Sequence, residues 1–149
     1  MSNIDVDVVP YAEADQAIQH IRHLVFQVEQ NIEPELDFDG QDETAMHVIA
    51  YCATEPIGTA RIRYLNERLA KIERVAVLAA YRGQGVGKVI MTRAIAYLDH
   101  QTVPEIKINA QVQVKDFYQK LGFRQVGELF YEAGLPHIEM KRSHDLLKL

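Results

Sequence analysis

K-I-E-R-V-A-V-L-A-A-Y-R-G-Q-G-V-G-K-V-I-M-T-R-A-I-A-Y-L-D, residues Lys71 to Asp99, is the stretch whose reading decides the fold. The run from Ile72 to Leu78 reads as a strand, and Arg82-Gly83-Gln84-Gly85-Val86-Gly87 as a turn. Beyond it Val86, Val89, Ile90, Ala94, Tyr97 and Leu98 fall on one face of a helix. Glycines at alternating positions before a helix let the backbone approach a ligand closely. The N–H groups of the first helical turn have no partner inside the helix and point outward. The ligand this predicts is a phosphate or pyrophosphate.

Spacing then separates the phosphate-binding motifs. A P-loop requires G-x-x-x-x-G-K-[ST], but Arg82 stands five residues before Gly87, and Val89 occupies the place of the magnesium-binding hydroxyl. A dinucleotide fingerprint requires G-x-G-x-x-G, and Gly83-Gln84-Gly85-Val86-Gly87-Lys88 ends in lysine. The pattern [Q/R]-x-x-G-x-[G/A] is filled by Arg82, Gly85 and Gly87, after an apolar strand ending V-A-V. A second signal lies downstream in F-Y-Q-K-L-G-F, Phe117 to Phe123, a helix whose Gly122 takes the left-handed C-terminal position while Phe123 packs back.

With both signals in this order the chain resembles the GNAT superfamily of N-acetyltransferases. V-F-Q-V-E-Q followed by P-E-L-D-F-D-G-Q-D extends the resemblance to the ElaA/YjcF-like branch over most of the chain. The resemblance implies an α/β (α+β) fold: a mixed, mostly antiparallel sheet of about six to seven strands flanked by helices, with a splayed parallel pair at the cofactor site. It implies acetyl-CoA as co-substrate, its pyrophosphate cradled by Gly83, Gln84, Gly85, Val86 and Gly87 with positive charge from Arg82 and Lys88. The pantetheine arm would lie along Val75, Ala76 and Val77, with Asn109 and Phe117 beside it. Tyr118 would face the sulfur.

The 149 residues suit one domain, and 48% hydrophobic with 25% charged residues is ordinary globular composition. The apolar runs fall short of the roughly 20 residues that span a bilayer, and M-S-N-I-D-V-D lacks a basic leader segment. These features predict a soluble, cytoplasmic protein without a membrane partner. A net charge of −5 argues against a nucleic-acid partner. The lone Cys52 forms no internal disulfide and reads as a small core residue. No zinc motif occurs, and His20 and His23, three apart on a helix, read as surface histidines, so no metal is expected.

Strands are predicted at Ile4–Val9, Ala45–Ala53, Ile57–Leu65, Lys71–Leu78, Glu105–Asn109, Arg124–Phe130 and His137–Lys141, and helices at Glu13–Gln30, after Gly85, and at Val112–Leu121. A right-handed crossover makes Glu105–Asn109 parallel to Lys71–Leu78. Glu33 to Glu43 carries six carboxylates and no base. Two readings stand for it: a solvated loop, or an acidic rim that gathers a cationic amine. The closing D-L-L-K-L reads as a surface tail or a homodimer contact.

Acyl transfer from a thioester to an amine has three physical needs. A lysine-like ammonium, titrating near about 10.4, must lose a proton. The oxyanion needs donors, and the departing thiolate needs a proton or charge stabilisation. Tyr118 is the expected general acid, and a backbone N–H near Val75 the oxyanion donor. Glu73 is the expected base, since period-two alternation places it on the face of Val75 and Val77. A strand glutamate paired with a neighbouring Arg or Lys is the competing reading; the resemblance also allows deprotonation through water, and His47 and His137 are fallback bases that read first as structural or exposed. The acceptor is a small-molecule or peptide amine. Two other readings are a non-catalytic acyl-CoA-binding regulatory module and a nucleotide-binding protein.

Overall fold

The computed structural model describes residues 3–144. Among these, seven strands form one sheet: β1 (Ile4–Pro10), β2 (Met46–Cys52), β3 (Glu55–Asn66), β4 (Leu69–Val77), β5 (Glu105–Gln111), β6 (Arg124–Glu132) and β7 (Leu135–Ser143). Their order is β1-β2-β3-β4-β5-β7-β6, and every neighbouring pair is antiparallel except β4 and β5. The expected mixed sheet with one parallel pair is therefore present. The helices are α1 (Asp15–Arg22), α2 (Pro34–Asp37), α3 (Val86–His100) and α4 (Lys115–Gln119).

The helix predicted over Glu13–Gln30 is not uniform. After Arg22 it widens into a π-helical segment, His23–Glu29, whose end is marked by the Gln30 N–H donating to Val25 O at 3.2 Å. Such wide turns recur at functional sites. The expected helix over Val112–Leu121 is also shorter, with a single 3₁₀ turn at Val112–Val114 preceding α4.

Two apolar clusters cover the two faces of the sheet. One packs α3, through Ile90, Met91, Ala94 and Leu98, onto β2 to β5, and the other packs α1 and its π continuation, through Ile18, Ile21, Val25 and Phe26, onto Ile49 and Ala76. Gly58 sets how closely α3 lies: a Cβ there would sit 2.5 Å from Ile90 Cδ1 and 3.2 Å from Ala76 O. Absence of a side chain on β3 thus lets the helix, and the glycine loop that starts it, settle against β4. Cys52 is half-buried against the larger cluster. Residues 145–149, which include the D-L-L-K-L segment expected to be a tail or dimer contact, lie outside the described residues. No helix among the described residues is long and apolar enough to cross a membrane.

Candidate active site

β4 and β5 pair only at Leu69–Lys71 against Glu105–Lys107. Beyond Lys71 their facing edges separate, opening a cavity of about 980 Å³ that runs from the glycine loop to the β6–β7 turn. A β-bulge drives part of this divergence. Thr59 and Arg61 on β3, two residues apart, face Ala76 and Glu73, three residues apart, and the extra residue falls at Arg74, whose φ is +54°. A bulge bends a strand and sharpens its twist.

The bulge also corrects one expectation. Strict alternation would place Glu73 with Val75 and Val77, but one inserted residue reverses the phase. Val75 and Val77 pack on the α3-side cluster with Ile72, whereas Glu73 faces the arginines of the opposite face. There its carboxylate receives Arg61 Nη2 at 2.6 Å, Lys71 Nζ at 3.1 Å and the Arg63 guanidinium. Burial pushes its pKa up, but Arg63, Arg61 and Lys71 outweigh burial and hold it at about 2. An anion so held is a weak base near neutral pH, which favours the ion-pair reading over the catalytic one.

The loop expected to be either solvated or an acidic rim is divided. Glu33, Glu35 and Glu43 are exposed, while Asp37 and Asp42 are buried. Arg22, itself fully buried, donates Nε to Asp37 at 2.9 Å and Nη1 to Asp42 at 2.7 Å. Arg61 bridges Asp42, at 3.0 Å, and Asp39, at 2.8 Å. Arg74 closes the set, donating Nη2 to Leu36 O at 2.9 Å. The arginine of Arg61 lowers Asp39, and for Asp42 the two arginines outweigh the opposing effect of burial. Half of the acidic stretch is thereby spent locking the loop onto α1, β3 and the bulge. Six acids facing basic residues far along the chain were the only sequence signal of this network, and the pairing itself is tertiary.

At the other end of the cleft, α3 begins at Gly85, φ +85°, with no side-chain cap, and its first helical bond is Val89 N–H to Gly85 O at 3.0 Å. The N–H groups of Val86, Gly87 and Lys88 therefore lack helical partners. Gly83 is also left-handed, at φ +74°. Arg82 lies in the loop, with Nε donating to Val77 O at 2.9 Å and Nη2 to Glu29 at 2.6 Å. Gly83, Gly85, Val86, Gly87 and Lys88 line the cavity, as do Val75, Ala76, Val77, Asn109, Phe117 and Tyr118; Gln84 instead turns its amide to Ala80 O at 3.1 Å.

Tyr118 is 8% exposed, edge-on to Phe117 and Phe123 with ring centroids 5.0 and 6.1 Å away. Gly122, at φ +97°, terminates its helix as the sequence predicted, and the Phe123 N–H donates back to Tyr118 O. Burial pushes the phenol up to about 12. On β5, Asn109 donates Nδ2 to Glu132 Oε1 at 3.3 Å, leaving its buried Oδ1 without a partner. Of the two fallback histidines, His47 is remote from the cavity. It is buried against Tyr11 with Nε2 2.9 Å from Asp42 O, and burial lowers its pKa. His137 lines the cavity. His20 and His23 are exposed, and no group of three metal-ligating side chains occurs among the described residues.

An open parallel pair whose far end meets a glycine-lined helix start is the architecture of acyl-CoA-dependent acyltransferases of one fold. The family model for the acetyltransferase (GNAT) domain matches residues 11–144, and the chain belongs to this family of acyltransferases. Within it, the chain is 36% identical to protein ElaA of Escherichia coli over 85% of its own length and 86% of ElaA. It is 33% identical to the N-acetyltransferase YjcF of Bacillus subtilis, covering 83% of this chain and 89% of YjcF. The crystal structure of Escherichia coli ElaA superposes with a TM-score of 0.85 at 32% identity, covering 94% of this chain and 99% of that one. The ElaA/YjcF resemblance read from the sequence is thus borne out.

Proposed function

We propose that this acyltransferase moves an acetyl group from acetyl-CoA to a primary amine of a small molecule or peptide, by direct attack of the amine in a ternary complex. The observation that carries this reading is the continuity of one cleft from the partnerless N–H groups at the start of α3, through the gap between β4 and β5, to the side chain of Tyr118. The residues suit such a co-substrate. The N–H groups of Val86, Gly87 and Lys88 offer a pyrophosphate site reinforced by the helix dipole. Side-chain-free positions at Gly83 and Gly85 let an anion approach the backbone; a Cβ at Gly87 would lie 3.6 Å from Phe117 Cζ, in ordinary contact. Lys88 adds positive charge. Arg82 joins it by exchanging Glu29 for a phosphate oxygen; the pair is 40% and 43% exposed, and such a pair is worth about 0–1 kcal/mol.

In the gap, the unpaired edge of β4 at Val75 to Val77 offers backbone groups to an extended amide-bearing arm, as a missing strand would. The partnerless Asn109 Oδ1 fits an amide N–H of the same arm. The backbone N–H near Val75 serves the thioester oxyanion. Tyr118, kept protonated by its dry surroundings, gives its proton to the departing thiolate; a phenol in an apolar pocket is a competent donor to a sulfur anion. Release of coenzyme A measured across a panel of primary amines tests the reading. Turnover with at least one amine supports it, and tight acetyl-CoA binding without turnover on any acceptor refutes it.

A further inference from the structure

The proposed transfer leaves the amine's proton unassigned, since Glu73 lines the cleft but its carboxylate is committed to three cations. The β6–β7 hairpin offers another group. His137 sits on β7, opposite Phe130 of β6 and Gln111 of β5, with its ring stacked on Phe130 at 5.9 Å and 27°. Its side chain is only 8% exposed. Nδ1 lies 2.7 Å from Leu135 O. A carbonyl oxygen only accepts, so Nδ1 carries a hydrogen, and in the neutral ring the lone pair resides on Nε2.

The carboxylate of Glu132, at the end of β6, lies beside that lone pair, with Oε2 3.9 Å from Nε2. Its other oxygen is held by Asn109 Nδ2 at 3.3 Å. Glu132 is the charged group facing the ring, and the β5 neighbours Asn109 and Gln111 are neutral. Glu132, His137, Asn109 and Tyr118 line the same cavity. An anion and an adjacent imidazole lone pair, both acceptors, suit a ligand that brings only donors, and a primary ammonium is such a group.

On the acetyl-transfer reading above, we infer that Glu132 receives the acceptor's ammonium and that His137 Nε2 is the base that deprotonates it. The proton moves from nitrogen to Nε2, giving an imidazolium stabilised by Glu132, and passes to solvent. The freed lone pair forms the C–N bond to the thioester carbon, and the C–S bond breaks. The second proton lost from nitrogen balances the one gained by the thiolate, so an ammonium and a thioester become an amide, a thiol and one released proton.

The test compares wild type, His137→Gln and Glu132→Gln in steady-state assays from pH 6 to 10, with acetyl-CoA binding followed by calorimetry. A general base contributes about 10²–10⁴-fold, so His137→Gln loses that much kcat near neutral pH while still binding acetyl-CoA. The deficit shrinks toward pH 10 as the amine loses its proton unaided, so the acidic limb of the variant's profile moves to higher pH than in the wild type. Glu132→Gln raises KM for the amine more than it lowers kcat. A His137→Gln enzyme with wild-type kcat and an unchanged acidic limb overturns the assignment and leaves acetyl transfer standing. A wild-type protein that turns over no amine overturns both. If His137→Gln fails to bind acetyl-CoA, Glu132→Gln decides, and an unchanged KM for the amine overturns the proposal.

Discussion

Gly58→Ala tests whether the position of α3, and with it the glycine loop, depends on one missing side chain. The new methyl would stand 2.5 Å from Ile90 Cδ1 and 3.2 Å from the Ala76 carbonyl oxygen. Ile90 is fully buried, so any swing of Cδ1 away from the new methyl works against close-packed neighbours. Forcing an extra methyl into such a site costs about 1–3 kcal/mol. Part of that, about 0.4–1 kcal/mol, is offset by the smaller entropy of the unfolded chain when glycine is replaced. A net loss of about 1–2 kcal/mol corresponds to roughly 2–8 °C in Tm for a chain of this size.

The decisive control is Ile90→Val, which removes the clashing atom itself and alone costs about 0.5–1.5 kcal/mol. In the double variant the new methyl fills the space that Cδ1 vacates. The two changes then fail to add, with a favourable coupling of about 1 kcal/mol or more, within the range for contacting residues. Urea unfolding of the four proteins at constant m-value measures the cycle. Unchanged stability in Gly58→Ala, or strict additivity in the double variant, would refute the argument that this contact seats the helix.

Tyr118→Phe keeps the ring packing and removes only the hydroxyl, so kcat falls about 10²-fold or more while acetyl-CoA affinity measured by calorimetry stays close to wild type; an unchanged kcat removes Tyr118 as the acid. Because burial raises its pKa to about 12, the phenol contributes stability that is complete below pH 10 and lost as pH climbs toward 12, where the unfolded chain ionises first. If that assignment is wrong, the stability difference between wild type and Tyr118→Phe stays constant through this alkaline range. Glu73, depressed from 4.5 to about 2, contributes stability that is present above pH 4.5 and lost as pH falls toward 2. Glu73→Gln removes one of three carboxylate partners of Arg61, which keeps Asp39 and Asp42, costs about 1.5–3 kcal/mol at pH 7, and flattens the acid limb of the stability profile measured by urea titration.

The local signals were strong where one chain segment carries its own physics. The alternating strands, the left-handed glycines at 83, 85 and 122, and the partnerless N–H groups opening α3 follow from steric and hydrogen-bonding rules acting over a few residues. The parallel placement of β5 followed from the handedness of one crossover. The extra residue at Arg74 was not legible, since R-V-A-V-L reads as unbroken alternation. At the bulge Arg74's guanidinium reaches across 38 residues of chain to Leu36 O, a contact between distant segments. Nor could the acidic stretch announce that three of its carboxylates would be held by Arg22, Arg61 and Arg74.

Sequence by itself determined that this chain builds a strand, a glycine loop and a helix able to hold an anion, because those conformations are chosen by residues that touch their own neighbours. Only the tertiary structure decided which side chains meet in the cleft. A one-residue bulge set Glu73 among a cluster of cations at the cleft wall, and a hairpin folded from the far end of the chain brought Glu132 and His137 to the same cavity. Such pairings depend on the register between distant strands, and a shift of one residue in that register exchanges the faces of a sheet.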